Sequence, residues 1–205
     1  GLLCNDSHLE QKNGNWVVIG DPTEGALISA GNKAGLLQPA VERMNPRLDS
    51  IPFESQFQYM ATLHQTRSGK TIYVKGSAES MLKRCTSALD ADGNFTAVDR
   101  AAIEQRVDEM AQQGLRVLAF AKKEVMDEKT GVDHGDLEIG LIFIGLQGMI
   151  DPPRPEAIAA VHACQSAGIQ VKMITGDHIT TAKAIARRMG FRRKQREIVA
   201  FTGAQ

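Results

Sequence analysis

Neither sign of charge prevails in this chain: Lys and Arg together number 24, Asp and Glu likewise 24, and the formal net charge over 205 residues is zero. That balance argues against a dedicated nucleic-acid binder, whose affinity rests on a cationic field. Long apolar runs are missing too. The most hydrophobic stretch, Ile139 to Ile150, is interrupted by Gly140, Gly145, Gln147 and Gly148, whereas a bilayer-spanning helix needs roughly 20 apolar residues. No basic segment followed by an apolar one opens the chain, so no secretory signal is expected. Cysteine is scarce. Cys4, Cys85 and Cys164 are far apart and lack metal-ligand spacing, which fits reduced thiols in a cytosolic setting. What is present, 42% hydrophobic and 23% charged residues, is ordinary for a chain that buries a core. The length suits one large domain or two small ones.

The local signals divide the chain in two. Trp16 to Ile19 is a β-branched run, followed by Asp21-Pro22-Thr23-Glu24. Asp21 suits an N-cap and Pro22 the first helical position, so a helix is expected from Pro22 to about Ala34, closed by Gly35. Pro39 to Pro52 holds three prolines and reads mostly as loop. Met60 to Gln65 and Thr71 to Lys75 read as strands joined by Ser68-Gly69, and Ser77 to Arg84 as a short helix. After a turn at Asp90 to Asn94, Ile103, Val107 and Met110 mark one helix face ending at Gly114. Leu115 to Ala121 and Ile139 to Leu146 read as strands, with a polar loop from Asp127 to Asp136. Residues 1–150 are thus expected to be α+β, an antiparallel sheet with helices. Asp151-Pro152-Pro153-Arg154-Pro155 can continue neither strand nor helix and is taken as a junction. Beyond it, in 151–205, a helix ending near Gly168, a strand from Ile169 to Ile174, a turn and a helix from Ile179 to Met189 suggest a piece of parallel α/β sheet.

Four features could carry chemistry, and each has an ordinary alternative. Glu24 fits the third position of a capping box. Lys75-Gly76 ends a strand where a glycine permits close backbone approach and a lysine can reach a ligand, or is a surface lysine beside a turn. Phe53, between Pro52 and Glu54, could stack on a purine or fold into the core. Thr175-Gly176-Asp177 stands between a strand and a helix, where α/β sheets bind ligands, or is a capped turn.

The order of the motifs removes the ambiguity. Gly20-Asp21-Pro22-Thr23-Glu24-Gly25-Ala26-Leu27, Val74-Lys75-Gly76-Ser77-Ala78-Glu79, Gly114-Leu115-Arg116-Val117-Leu118-Ala119, Asp151-Pro152-Pro153-Arg154 and Met173-Ile174-Thr175-Gly176-Asp177 form one series. It resembles the cytoplasmic region of P-type cation-transporting ATPases, in the branch of the calcium and sodium/potassium pumps. Cys4-Asn5-Asp6 and Thr202-Gly203-Ala204-Gln205 fit the same pattern. The resemblance implies that 1–150 is most of a nucleotide-binding domain. It implies that 151–205 is a hinge and the beginning of a phosphorylation domain with a haloacid-dehalogenase-like fold. By the same resemblance, Phe53 matches the aromatic stacked on adenine, and Glu24 the acid near its amino group. Lys75 matches the lysine at the back of the pocket, and Arg116 the arginine that reaches the phosphates. Thr175, Gly176 and Asp177 match the phosphate-side loop, and Asp151 to Arg154 the hinge. ATP with magnesium is then the expected cofactor pair of the full-length protein. The expected partners are ATP or ADP and the phosphorylation, actuator and transmembrane domains of the same polypeptide, placing the chain at the cytoplasmic face of a membrane. Calcium is the expected ion, from the branch alone.

Two departures qualify the match. After the stacking aromatic, relatives carry basic residues, but here Ser55 and Gln58 occupy those places, and Phe57 is a rival ring. Alternation and the neighbouring Pro52 favour Phe53. The family's phosphorylated Asp-Lys-Thr-Gly-Thr motif is also missing from the sequence. Glu128-Lys129-Thr130-Gly131-Val132 is a look-alike in a polar stretch and reads as a turn. The chain is therefore expected to be inactive alone. A stand-alone nucleotide-binding module or a dehalogenase-like phosphatase remnant is the alternative class. The basic cluster Arg187, Arg188, Arg192, Arg193, Lys194 and Arg196 is expected to be a helix end and a solvated loop, with no nucleic-acid partner.

Overall fold

The structure is a computed structural model that describes residues 1–150, 153–175, 179–191 and 198–201. The chain divides into two compact units, Gly1–Arg100 with Leu118–Gln147, and Ala101–Val117 with Gly148–Gln205.

The first unit is built on a seven-stranded sheet and a separate hairpin. The hairpin pairs β1 (His8–Lys12) with β2 (Asn15–Ile19). α1 (Pro22–Lys33) follows, with Asp21 Oδ1 accepting from the amides of Thr23 at 2.7 Å and Glu24 at 3.2 Å. Gly25 lets β2 lie against this helix, since a Cβ there would stand 2.5 Å from both methyls of Val18. α2 (Gln38–Met44) and β3 (Arg47–Glu54) occupy the proline-rich segment expected to be loop. The reason is where the prolines fall. Pro39 sits in the first turn of α2, which needs no amide there, and Pro52 lies on an edge strand at a bulge.

β4 (Tyr59–Thr66) and β5 (Gly69–Gly76) pair along their whole length. α3 (Ala78–Arg84), β6 (Cys85–Leu89), β7 (Phe95–Thr96), β8 (Arg116–Val125) and β9 (Leu141–Met149) complete the strand order β3-β4-β5-β8-β9-β6-β7. The sheet is mixed rather than antiparallel throughout, because β6 runs parallel to β9, with Cys85 opposite Leu141 and Ala88 opposite Phe143. β6 carries no alternating pattern, and its partner lies far along the sequence. The sheet is covered on both sides at its centre. Residues 59–64 of β4 are all buried, including Thr62 and His64. On one face, Cys4 Sγ donates to Met60 O at 3.4 Å and Thr62 Oγ1 to Leu3 O at 3.4 Å, so the N-terminal segment lies across Met60 and Thr62. On the other, the segment after β8 is drawn in by Lys123 Nζ, which donates to Asp136 O at 2.6 Å, and by Tyr59, whose hydroxyl meets His134 Nδ1 at 2.7 Å.

Among the described residues the second unit holds three helices. α4 (Arg100–Gln112, Arg100 itself counting with the first unit) bears the expected face and ends at Gly114, whose φ is 77°. α5 (Pro155–Ser166) begins at Pro155, with Arg154 as its N-cap residue. α6 (Ile179–Arg188) approaches the end of α4 closely, a Cβ at Gly114 standing 3.0 Å from Ala184 Cβ, and Arg188 donates to Gln113 O at 2.7 Å. The strand expected from Ile169 to Ile174 is not one. These residues form neither helix nor strand, and Ile174 is 98% exposed. An apolar run becomes a strand only through a ladder, and no described residue pairs with this one. Arg192, Arg193, Lys194 and Arg196 of the basic cluster lie outside the described residues.

Candidate functional site

Three of the sequence-selected residues fall in the first unit, and local structure accounts for how each is presented. Glu24 stands in the first turn of α1, but its carboxylate is not used for the cap. Oε2 accepts from the amide of Asp6 at 2.9 Å and from Ser7 Oγ at 2.9 Å, and Oε1 accepts from Lys75 Nζ. The capping-box reading of Glu24 is therefore replaced by a long-range one. Both partners of this ion pair are withdrawn from water, with side chains 8% exposed for Lys75 and 13% for Glu24. A buried pair is tolerated when further donors satisfy the carboxylate, and here Asp6 and Ser7 supply them.

Lys75 is placed by β5, opposite Met60 on one side and Phe120 on the other. The next residue has to be glycine. A Cβ on Gly76 would stand 2.4 Å from Gln58 O and 2.9 Å from Tyr59 Cβ, so the corner into α3 closes only without a side chain. Gln58 itself adopts a left-handed conformation with φ 57°. Its backbone carbonyl accepts from the amide of Ser77 at 3.1 Å, and its side-chain oxygen from Ser77 Oγ at 3.2 Å. Gln58 thus braces the corner beside Lys75.

Phe53 is 59% exposed, whereas Ile51 on the same strand is buried. A β-bulge between Ile51 and Glu54 interrupts the alternation that would otherwise carry Phe53 inward with Ile51. The bulge stands opposite Met60, which pairs with Lys75, so Phe53 and Lys75 share a level of the sheet about 10 Å apart, two strand spacings. Phe57 is engaged elsewhere: its ring lies 4.1 Å from that of His134 and 5.8 Å from Tyr59, over which Arg84 sits at 4.9 Å. Among the described residues Phe53 makes no ring contact, which leaves it the available aromatic.

A family profile decides the kinship. The one described as "P-type ATPase, cytoplasmic domain N" matches residues 1–156. The chain belongs to the P-type cation-transporting ATPases. It is 63% identical, over 205 residues, to "Cation-transporting ATPase pma1" of Synechocystis, an alignment covering all of this chain and 22% of that protein. To "Probable cation-transporting ATPase F" of Mycobacterium tuberculosis it is 41% identical over 190 residues, covering 93% of this chain and 21% of the relative. To "Calcium-transporting ATPase 1" of Lactococcus lactis it is 40% identical over 192 residues, covering 92% and 21%. This P-type ATPase chain thus spans about a fifth of the length of these relatives.

The other sequence-selected residues of this ATPase chain stand in the second unit or outside the described residues. Arg116 opens β8, whose first two residues count with the second unit, and is exposed, as is Thr175. Gly176 and Asp177 lie outside the described residues, as do Asp151 and Pro152 of the hinge motif, while Pro153 and Arg154 lead into α5. Among the described residues no three His, Cys, Asp or Glu side chains gather as metal ligands. No helix among the described residues is long and apolar enough to cross a membrane. Sequence reasoning missed Ser7, whose hydroxyl reaches Glu24. Ser7 directly follows Cys4-Asn5-Asp6, which fits the family pattern, and that adjacency was the signal that could have found it.

Proposed function

We propose that this chain is the nucleotide-binding part of a pump that hydrolyses ATP to move a cation across a membrane, with adenine lodged beside Phe53, Glu24 and Lys75. The observation that carries this reading is the Glu24–Lys75 pair. Two residues chosen separately from the sequence meet at one place, on the level of the sheet where a bulge exposes Phe53. A stacked ring contributes roughly 1–3 kcal/mol by analogy with base stacking. Arg116 acts on the phosphates, where its planar guanidinium suits a bidentate contact. Thr175, Gly176 and Asp177 line the phosphate side, and Asp151 to Arg154 form the hinge between a nucleotide-binding domain, 1–150, and the haloacid-dehalogenase-like phosphorylation domain begun in 151–205.

In the whole polypeptide the nucleotide would pass its γ-phosphoryl group to an aspartate once hinge closure brought the two sites together, and magnesium, when bound, would offset the charge on the transferring group. Calcium is the ion we assign, supported by the name of the Lactococcus relative. The chain alone hydrolyses no ATP. Glu128, the first residue of the look-alike, lies in a turn after β8 and is no substitute for the nucleophile. The test is chemical-shift titration of the chain with ATP, together with γ-labelled ATP and magnesium. Binding at Phe53 and Lys75 without a phosphoprotein is expected. Absence of those shifts, or a labelled band, contradicts the reading.

A further inference from the structure

We infer that Ser7 is a positioning residue for the base subsite: its hydroxyl fixes the carboxylate of Glu24 in the orientation that holds the Lys75 ammonium. The inference rests on the nucleotide-binding reading above and deepens it.

Ser7 is 2% exposed and is held from several directions. Its amide donates to Asn5 Oδ1 at 2.9 Å, and its carbonyl accepts from Gln38 Nε2 of α2 at 2.9 Å. The glycine before α1 makes room for it. Gly20 has φ 116°, and a Cβ there would stand 2.3 Å from Ser7 Oγ. A hydroxyl has one proton to give, and two acceptors lie near: Glu24 Oε2 at 2.9 Å and Asp21 O at 3.3 Å. The shorter contact to the charged oxygen takes it, as charge-assisted hydrogen bonds are the stronger ones. With the Asp6 amide on the same oxygen, Oε2 is occupied, and Oε1 is turned to Lys75. Lys75 has a flexible four-carbon stem and no rigid fork of its own. Its ammonium is therefore located by the carboxylate, and the carboxylate by Ser7 and the Asp6 amide.

The experiment uses chain labelled with 13C at lysine Cε, compared as wild type and as Ser7→Ala. The Lys75 Cε signal should shift in Ser7→Ala, while the amide spectrum of β4 and β5 stays in place. ATP affinity should fall several-fold, and Glu24→Gln should move the same lysine signal further. Ser7→Cys, which keeps a weaker donor on a slightly larger atom, should fall between wild type and alanine, and it carries the comparison should Ser7→Ala not fold. An unmoved Lys75 signal overturns the inference, as does a moved signal with unchanged ATP affinity. Wild-type chain that does not respond to ATP contradicts the nucleotide-binding reading instead. The lysine signal then still decides whether Ser7 acts through Glu24.

Discussion

Glu24 and Lys75, 51 residues apart in sequence, form an ion pair whose two side chains are both largely withdrawn from solvent. The pair ties α1 to the centre of the sheet. Removing one member strands the other charge away from water. Glu24→Gln should therefore lower unfolding stability by about 3–5 kcal/mol, whereas Glu24→Leu with Lys75→Met, which removes both charges, should recover most of that loss. Urea denaturation of the variants measures it. A single variant within about 0.5 kcal/mol of wild type, the range of ordinary surface substitutions, would place the pair in water rather than in the protein.

Phe53 and Phe57 should separate binding from stability. Phe53 is exposed, so Phe53→Ala should change stability by no more than about 0.5 kcal/mol yet weaken ATP and ADP alike, by roughly tenfold for a stacking contribution near 1.4 kcal/mol. Phe57→Ala removes the ring stacked on His134 and should lower the melting temperature with a smaller effect on affinity. The reverse pattern would exchange their roles.

What the sequence made legible here was local. Asp21 and Pro22 announced α1, Gly114 ended α4, and Ser77 opened α3, because caps and turn glycines act within a few residues. α2 and β3 were hidden by prolines that turned out to sit where no amide is needed. β6 was hidden because its parallel partner is distant in sequence, and the run from Ile169 to Ile174 looked like a strand only on its apolar character. At the candidate site, the motifs marked Glu24 and Lys75, but not the role of the residues that orient them. Asp6 and the adjoining Ser7 stand at the motif Cys4-Asn5-Asp6, but their hydrogen bonds to Glu24 span 18 and 17 residues, and nothing in the local spacing announces that role.

Thiol chemistry should follow burial. Burial pushes the Cys85 thiol up to about 11 and raises that of Cys4 as well, so neither supplies thiolate near neutrality. Cys164, on α5 and part-exposed, should be the one thiol modified by a maleimide in native protein at pH 7, with all three reacting in denaturant. Mass spectrometry counts the adducts. Native labelling of Cys4 would show that the segment over Met60 opens readily.

Acid should weaken the fold through His64. Its Nδ1 lies 2.8 Å from Asn45 O, a carbonyl that can only accept, so Nδ1 carries the proton, and among the described residues no side chain or backbone group lies within hydrogen-bond geometry of the buried Nε2. Burial first, and then the nearby Arg47, lower its pKa from the usual 6.5, while the Asn45 and Leu3 carbonyls and Glu42 act the other way. The unfolded chain therefore takes up a proton at a pH where the native chain does not, and stability falls as pH drops below about 6.5. His64→Gln should flatten the change in melting temperature between pH 7 and pH 5. An equally steep change in the variant would assign the effect to other groups.

The central claim, that Phe53 and Lys75 belong to an adenine site, is tested most directly by titrating the 15N-labelled chain with ATP and, separately, with GTP. The account predicts saturable shifts at Phe53, Glu24 and Lys75 with ATP, and markedly weaker ones with GTP, because a carboxylate and a lysine at the purine edge, as proposed, would discriminate its exocyclic groups. Shifts elsewhere only, or an equal response to both nucleotides, would contradict it.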